Sequence, residues 1–502
     1  MKHWKKFAAL GLSVILATTS FTGCGNKSTE ADSKNKEDEV VELTWYQIGD
    51  SQQDMDKVLE KVNEYTKEKI GATVKVNQIG WGDYNQKMQV LINTGEVFDL
   101  AFTCSWANDY LQNAQKGAFL ALDDLLPKYG KEMLDSIDKR FWDAAKVNGK
   151  TYGVPSEKEI GSMPMWVFTK EYVDKYNIPY EEIKSLEDLE PYLKVIKENE
   201  PDVVPLYLTK DFTAPTYMDK IQDPIGIEYD CNPDKLVVKN VFETDKMKST
   251  LKTLRDYYKK GYINKDAATA TSDKSVKRFV TKGDGQPYAE LIWGKDLGYE
   301  VVATPIMETK VTNASARGAL TAVSRTSEHP EKAVEFLNLV NTDEYLRNLL
   351  NYGIEGEHYT KVEVSEDEKK EAEGKPYVYD CKIKLDPEKK NNYSVPYWVQ
   401  GGLFNTYVTE EEPLDKWAEF KEFNDKSELA PTFGFDFNTE PVSTQLAGFR
   451  GVLDEFGASL YTGSVEPDEV LPKLLDKLKA TGVQDVIDEM QKQIDEWQAG
   501  KN

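Results

Sequence analysis

The side chains best placed to do chemistry in this sequence are tryptophans at the ends of apolar runs. Trp81 stands in Gly80-Trp81-Gly82-Asp83, Ser105 and Trp106 follow the run from Phe98 to Thr103, and Trp293 closes Leu291-Ile292-Trp293-Gly294. Trp398 and Phe404 border Gly401-Gly402. An indole is a broad apolar plate with one N–H donor. Plates mixed with polar groups suit a ligand with flat C–H faces and many hydroxyls, which is the surface of a sugar. The glycines beside Trp81 make a loop, and loops carry binding residues more readily than packing residues. Ser105 and Trp106 belong at the carboxyl end of a strand, where open α/β sheets bind ligands. The candidate ligand-binding residues are therefore Trp81, Ser105, Trp106, Glu157, Trp293, Arg317 and Trp398. Two of them carry a second reading. Glu157, after a strand and a proline, can accept hydroxyls or be an ordinary surface carboxylate. Arg317, in Ala316-Arg317-Gly318, can donate to a ligand or join an ion pair within the fold. Trp45 alternates with Leu43, which reads as core, while Tyr46 points the other way. Trp166 in its apolar run also reads as core.

No catalytic signature has the spacing its chemistry needs. There is no GxSxG and no HExxH, and only His329 and His358 lie beyond the amino-terminal segment. Gly149-Lys150-Thr151 mimics the end of a phosphate loop, but Ala144 stands where the loop's first glycine belongs. A glycoside hydrolase would need two carboxylates facing across a cleft. Among 87 acidic residues such pairs arise by chance, so composition lends that alternative nothing. Cysteines 24, 104, 231 and 381 form no CxxC pair, which argues against a disulfide framework or a zinc site. The sequence thus predicts no catalytic residues, no cofactor and no metal.

The elements that must position these residues follow from periodicity. Val41, Leu43 and Trp45 alternate with polar residues as a strand. Met55, Val58, Leu59, Val62 and Tyr65 have helical spacing, with Gly71 as a stop. Ala72 to Ile79 reads as a second strand, Tyr84 to Ile92 as a helix, and Phe98 to Thr103 as a short buried strand. Strand and helix in alternation indicate a mainly parallel sheet. Asn148-Gly149 marks a tight turn before a strand at Tyr152 to Val154. Pro330 opens a helix with Ala333, Val334, Leu337 and Val340 inward, and a second helix from about Asp343 ends at Gly353. Residues 361–392, rich in Glu and Lys, read as an exposed insertion containing a hairpin. Val483, Val486, Ile487, Met490, Ile494 and Trp497 make an apolar stripe that must dock on the body.

The amino terminus reads as a targeting segment. Lys2, Lys5 and Lys6 precede an uncharged run from Phe7 to Phe21, too short for the ~20 residues of a membrane span. Phe21-Thr22-Gly23-Cys24 then gives way to polar residues 25–39, a disordered tether. Removing residues 1–23 leaves 60 basic against 87 acidic residues, a net charge of −27. That field disfavours nucleic acid and anionic membrane surfaces as partners.

Taken in order, these motifs resemble a known family. Phe21-Thr22-Gly23-Cys24 is similar to a bacterial lipobox, with Phe21 where the pattern prefers Leu. Gly95-Glu96-Val97-Phe98-Asp99-Leu100, Asn113 to Leu126, and Asn148-Gly149-Lys150-Thr151-Tyr152-Gly153-Val154-Pro155 resemble family 1 extracellular solute-binding proteins. Tyr352 to Tyr359 and residues 431–498 resemble the lipoproteins of this group that carry a DUF3502 region. The resemblance implies an α/β, two-lobed periplasmic-binding-protein-like fold with a hinge and a helical carboxyl-terminal region. Its expected layout is a signal peptide at 1–23, a tether at 24–39, and lobe one at 40–155 with a return near 311–350. Lobe two follows at 156–310, its continuation with the exposed insertion at 351–430, and a DUF3502-like helical region at 431–502. It further implies a lipid on Cys24 at the extracellular face of the membrane, ABC permease subunits as partners, a monomer, and a captured carbohydrate. A peptide is the alternative ligand, and a surface adhesin or sensor is the alternative use of the same fold.

Overall fold

The computed structural model describes residues 40–500, which form two α/β lobes. The first lobe is built on a five-stranded sheet in the order Ala72–Ile79, Val41–Ile48, Leu100–Thr103, Leu320–Val323, Gly153–Pro155. The first three strands run parallel, linked by the helices Met55–Ile70 and Tyr84–Thr94. Leu320–Val323 returns from far along the chain and lies antiparallel to both neighbours, so the sheet is mixed. Gly71, at φ 64°, ends the first helix in the left-handed conformation that costs glycine no Cβ clash. The helices Pro330–Thr342 and Glu344–Tyr352 cover one face, where Phe336 meets the fully buried Trp45 edge-on at 5.6 Å. Asn148 and Gly149, both at positive φ, turn Lys146–Val147 back onto Lys150–Thr151.

The second lobe carries a four-stranded sheet in the order Val301–Pro305, Met163–Thr169, Arg278–Gly285, Val204–Leu206. Trp166 and Phe168 lie at the centre of its core. The carboxyl-terminal stripe docks here: Leu474 and Leu478 of Pro467–Thr481 and Val486, Met490 and Ile494 of Val483–Ala499 complete the same core.

Residues 351–430 contribute to more than one cluster. Tyr393 and Val395 are buried in the first lobe's core. Leu403, Phe404, Val408, Leu414, Trp417 and Phe420 form a separate cluster, touched from the second lobe by Tyr288. Within this stretch Tyr359–Glu363 pairs antiparallel with Cys381–Leu385, the hairpin arms of the insertion. Among the described residues no helix is long and apolar enough to cross a membrane. Cys24 and the tether lie outside the described residues.

Candidate ligand-binding site

The ends of two parallel strands that flank Val41–Ile48 deliver the first two indoles. After Ala72–Ile79 the chain turns at Gly80, whose carbonyl accepts from the N–H groups of Asp83 and Tyr84, and Trp81 projects from the turn. After Leu100–Thr103 a second turn is closed by Cys104 N–H to the Ala107 carbonyl at 2.9 Å and by Ala107 N–H to Cys104 Sγ at 3.2 Å. Burial pushes the Cys104 thiol up to about 11, so the sulfur stays a neutral acceptor. Thr103 Oγ1 donates to the Asn108 carbonyl at 2.7 Å and Asn108 Nδ2 donates to the Phe102 carbonyl at 3.0 Å. Ser105 and Trp106 sit exposed at the tip.

Trp398 comes from the distant 3₁₀ turn Tyr397–Val399 and completes a trio. Trp81 and Trp106 have ring centroids 6.2 Å apart, Trp81 and Trp398 6.2 Å, and Trp106 and Trp398 6.0 Å. Phe102 forms the buried floor, 5.9 Å from Trp106 and 5.8 Å from Trp398. Beside this trio, Tyr397 also lines a cleft of about 690 Å³. One wall is second-lobe residues Tyr288, Leu291, Ile292 and Lys295. The other is Trp417, Phe420 and the Glu410–Pro413 loop, with Glu159 between. Lys295 pairs with Glu411 at 2.8 Å, Lys384 with Glu410 at 3.0 Å, Lys416 with Glu412 at 2.6 Å, and Lys158 with Glu159 at 2.5 Å. The lining therefore offers hydroxyl-binding groups and apolar plates with its charges largely matched.

The other candidates take different places. Trp293 sits within the helix Ala289–Leu297 and not at a strand end, because the short apolar run belongs to a helix that packs on the sheet. Its ring lies over the strand Arg278–Gly285, where a Cβ on Gly283 would stand 2.9 Å and one on Gly285 2.6 Å from the indole. Leu291, Ile292 and Lys295 of that helix face the cleft instead. Arg317, only 5% exposed, takes its second reading: it pairs with Asp436 through two contacts at 2.6 and 2.9 Å and donates to the carbonyls of Ala144 and Lys146. Glu157 is not a surface residue, at 6% exposed. Its Oε1 accepts from the Asp138 N–H at 3.1 Å, and burial raises its carboxyl to about 7. Sequence reasoning missed Tyr397, Tyr288, Ile292, Trp417 and Phe420, since nothing in their local patterns separates cleft from core.

One group among the described residues brings metal-type donors together: Asp54, Glu357 and His358. His358 Nδ1 accepts the Ile354 N–H at 2.9 Å, which leaves the ring proton on Nε2, facing Asp54 Oδ2 at 3.2 Å. Glu357 is already held by Lys57 and Lys389. The arrangement is a clasp between the first helix and the insertion.

Two α/β lobes, with an aromatic-lined cleft between the second lobe and the segment 397–420, fit a solute receptor. The pattern described as "Bacterial extracellular solute-binding protein" matches residues 49–346, and a domain of unknown function, DUF3502, matches residues 431–499. The chain belongs to the bacterial extracellular solute-binding protein family. It is 33% identical, over all of both chains, to a carbohydrate ABC transporter substrate-binding protein of Streptococcus pneumoniae serotype 4. It is also similar to the crystal structure of the N-glycan transport solute binding protein NgtS from Streptococcus pneumoniae. The TM-score is 0.81 at 32% identity, over 92% of this chain and 100% of that one. The same protein in complex with Man5GlcNAc gives a TM-score of 0.66 at 33% identity, over 92% and 99%.

Proposed function

We propose that this chain is the capture component of an ABC importer and that it holds a neutral oligosaccharide against the Trp81–Trp106–Trp398 trio. The observation that carries the reading is the trio itself. Trp81 and Trp106 keep 45% and 51% of their surface open, and Tyr397, next to Trp398 in the chain, lines a cleft with room for several sugar rings. Apolar surface of that kind is left open on a folded protein where a ligand will cover it. The similar solute binding protein NgtS has structures in complex with Man1GlcNAc and with Man5GlcNAc. The paired lysines of the cleft favour an uncharged ligand over an acidic one. A hinge closure on the ligand fits the higher likeness to the relative's structure without a named glycan, 0.81, than to its two complexes, 0.69 and 0.66. The bound sugar passes unchanged to membrane permease subunits, and the receptor acts as a monomer anchored by a lipid on Cys24. It performs no catalysis.

A thermal-shift screen tests this, because a ligand that binds only the folded state raises the melting temperature. Oligomannose fragments should raise it, while oligogalacturonides and short peptides should not. Mass spectrometry should return the glycan intact. Stabilisation by peptides alone, or turnover of the sugar, overturns the reading.

A further inference from the structure

We propose that Arg347 is a positioning residue for ligand binding: from inside the first lobe its guanidinium holds the segment 397–402 and so sets the place of Trp398 in the aromatic trio. The inference rests on the oligosaccharide reading of that trio.

Arg347 lies on the helix Glu344–Tyr352 and is 0% exposed. Among the described residues it forms no ion pair with a carboxylate. The hydrogen bonds of its side chain, among the described residues, all run to one short segment. Nε donates to the Gly402 carbonyl at 2.8 Å, and Nη2 donates to the Tyr397 carbonyl at 2.8 Å and the Gly401 carbonyl at 3.4 Å. Nη1 donates to Gln400 Oε1 at 3.4 Å. A buried cation without a counter-ion is costly, and well-packed apolar side chains commonly replace buried charges without loss of stability. Mere closure of the helix on this segment does not call for a guanidinium. What a rigid planar fork does that an apolar side chain cannot is fix several carbonyls in one geometry.

Those carbonyls bracket Trp398, with Tyr397 before it and Gly401 and Gly402 after it. The segment lies close enough for this because Gly401 has no side chain. A Cβ there would stand 3.0 Å from Val340 Cγ1 and 3.2 Å from Asn341 Oδ1. Asn341 Oδ1 accepts the Gly402 N–H at 2.9 Å and steadies the far end. Trp398, held at both sides, then reaches Trp81, Trp106 and Phe102. Arg347 is not itself in the cleft lining and acts through the segment that carries Tyr397 and Trp398.

The test combines R347K, W398A and the double variant, measured by calorimetric titration with Man5GlcNAc, thermal melting and the near-ultraviolet circular dichroism of the indoles. Lysine keeps the charge and loses the fork. R347K should alter the indole spectrum and weaken glycan binding about tenfold. W398A should cost less in the R347K background than in the wild type, since residues acting through one another are not additive. Should R347K not fold, N341A, which loosens the same segment from a half-buried position, takes its place with the same expectation. A folded variant with an unchanged indole spectrum, or losses that simply add, overturns the proposal. Failure of the wild type to bind any glycan overturns the oligosaccharide reading instead. The spectrum, which needs no ligand, still decides the positioning role.

Discussion

Trp81 and Trp106 stack with their planes 21° apart, and each leaves about half of its surface open. Their spacing is inherited from the sheet. The strand Val41–Ile48 pairs in parallel with Ala72–Ile79 on one side and Leu100–Thr103 on the other, so both carboxyl ends emerge on the same edge. Register, more than side-chain packing, holds the two plates together.

Replacing either plate should therefore weaken binding and spare the fold. Trp106→Ala should cost about 1–3 kcal/mol in glycan affinity, roughly ten- to a hundredfold. The ligand-free melting temperature should change little. Titration and melting of the purified variant check both. An early-melting variant with normal affinity would mean that Trp106 serves packing.

Trp293→Ala should show the opposite pattern. The indole covers Gly283 and Gly285, and its loss opens a gap between helix and strand. Stability should fall by about 2 kcal/mol, less than for a fully buried tryptophan. Affinity of the folded variant should stay within about threefold of the wild type. Urea denaturation beside titration separates the two effects.

Glu157 makes stability depend on pH. Its carboxyl is raised to about 7 by burial, so the folded state binds more protons than the unfolded state between the ordinary carboxylate range and about 7. Its contribution is fully present below the unfolded pKa and is lost as pH rises through the folded one. Glu157→Gln keeps the acceptor for the Asp138 N–H and removes the titration. The variant should match the wild type near pH 4.5 and exceed it at pH 8 by on the order of 1–3 kcal/mol. Melting curves across this range check it; identical pH profiles would place the carboxylate in a solvated setting.

With its cleft charges matched, binding of a neutral glycan should respond weakly to salt. Titrations in about 0.05 M and about 0.5 M sodium chloride should agree within about threefold, since screening acts on charged partners. A tenfold fall at high salt would point to an anionic ligand.

Cys24→Ala should release the protein from membranes, and the wild type should incorporate a fatty-acid analogue. Absence of label on the wild type would remove the anchor from the proposal.

The sequence makes Trp81 and Trp106 legible because strand ends and flanking glycines leave local marks, and Trp398 because Gly401-Gly402 follows it. That Trp293 lies on a helix is not legible, because a four-residue apolar run fits a strand or a buried helix equally well, and only packing on Gly283 and Gly285 decides between them. The cleft wall is illegible for a different reason. Glu410, Glu411 and Glu412 look like solvated surface until their lysine partners, which come from three separate elements, are known. Arg347 reads as one more polar residue in an amphipathic helix. Its burial depends on a segment fifty positions onward, a contact no local period encodes.

The second lobe's core includes Met490 and Ile494 of the last helix together with Trp166 and Phe168, more than 300 residues earlier in the chain. Synthesis delivers the amino end first, so the part of this core that is made early is completed by residues that arrive almost last. Non-local closure of this kind slows folding and leaves apolar surface uncovered in the meantime. A cut just before Val483 should leave the indole trio intact, yet deprive the opposite lobe of its final helix.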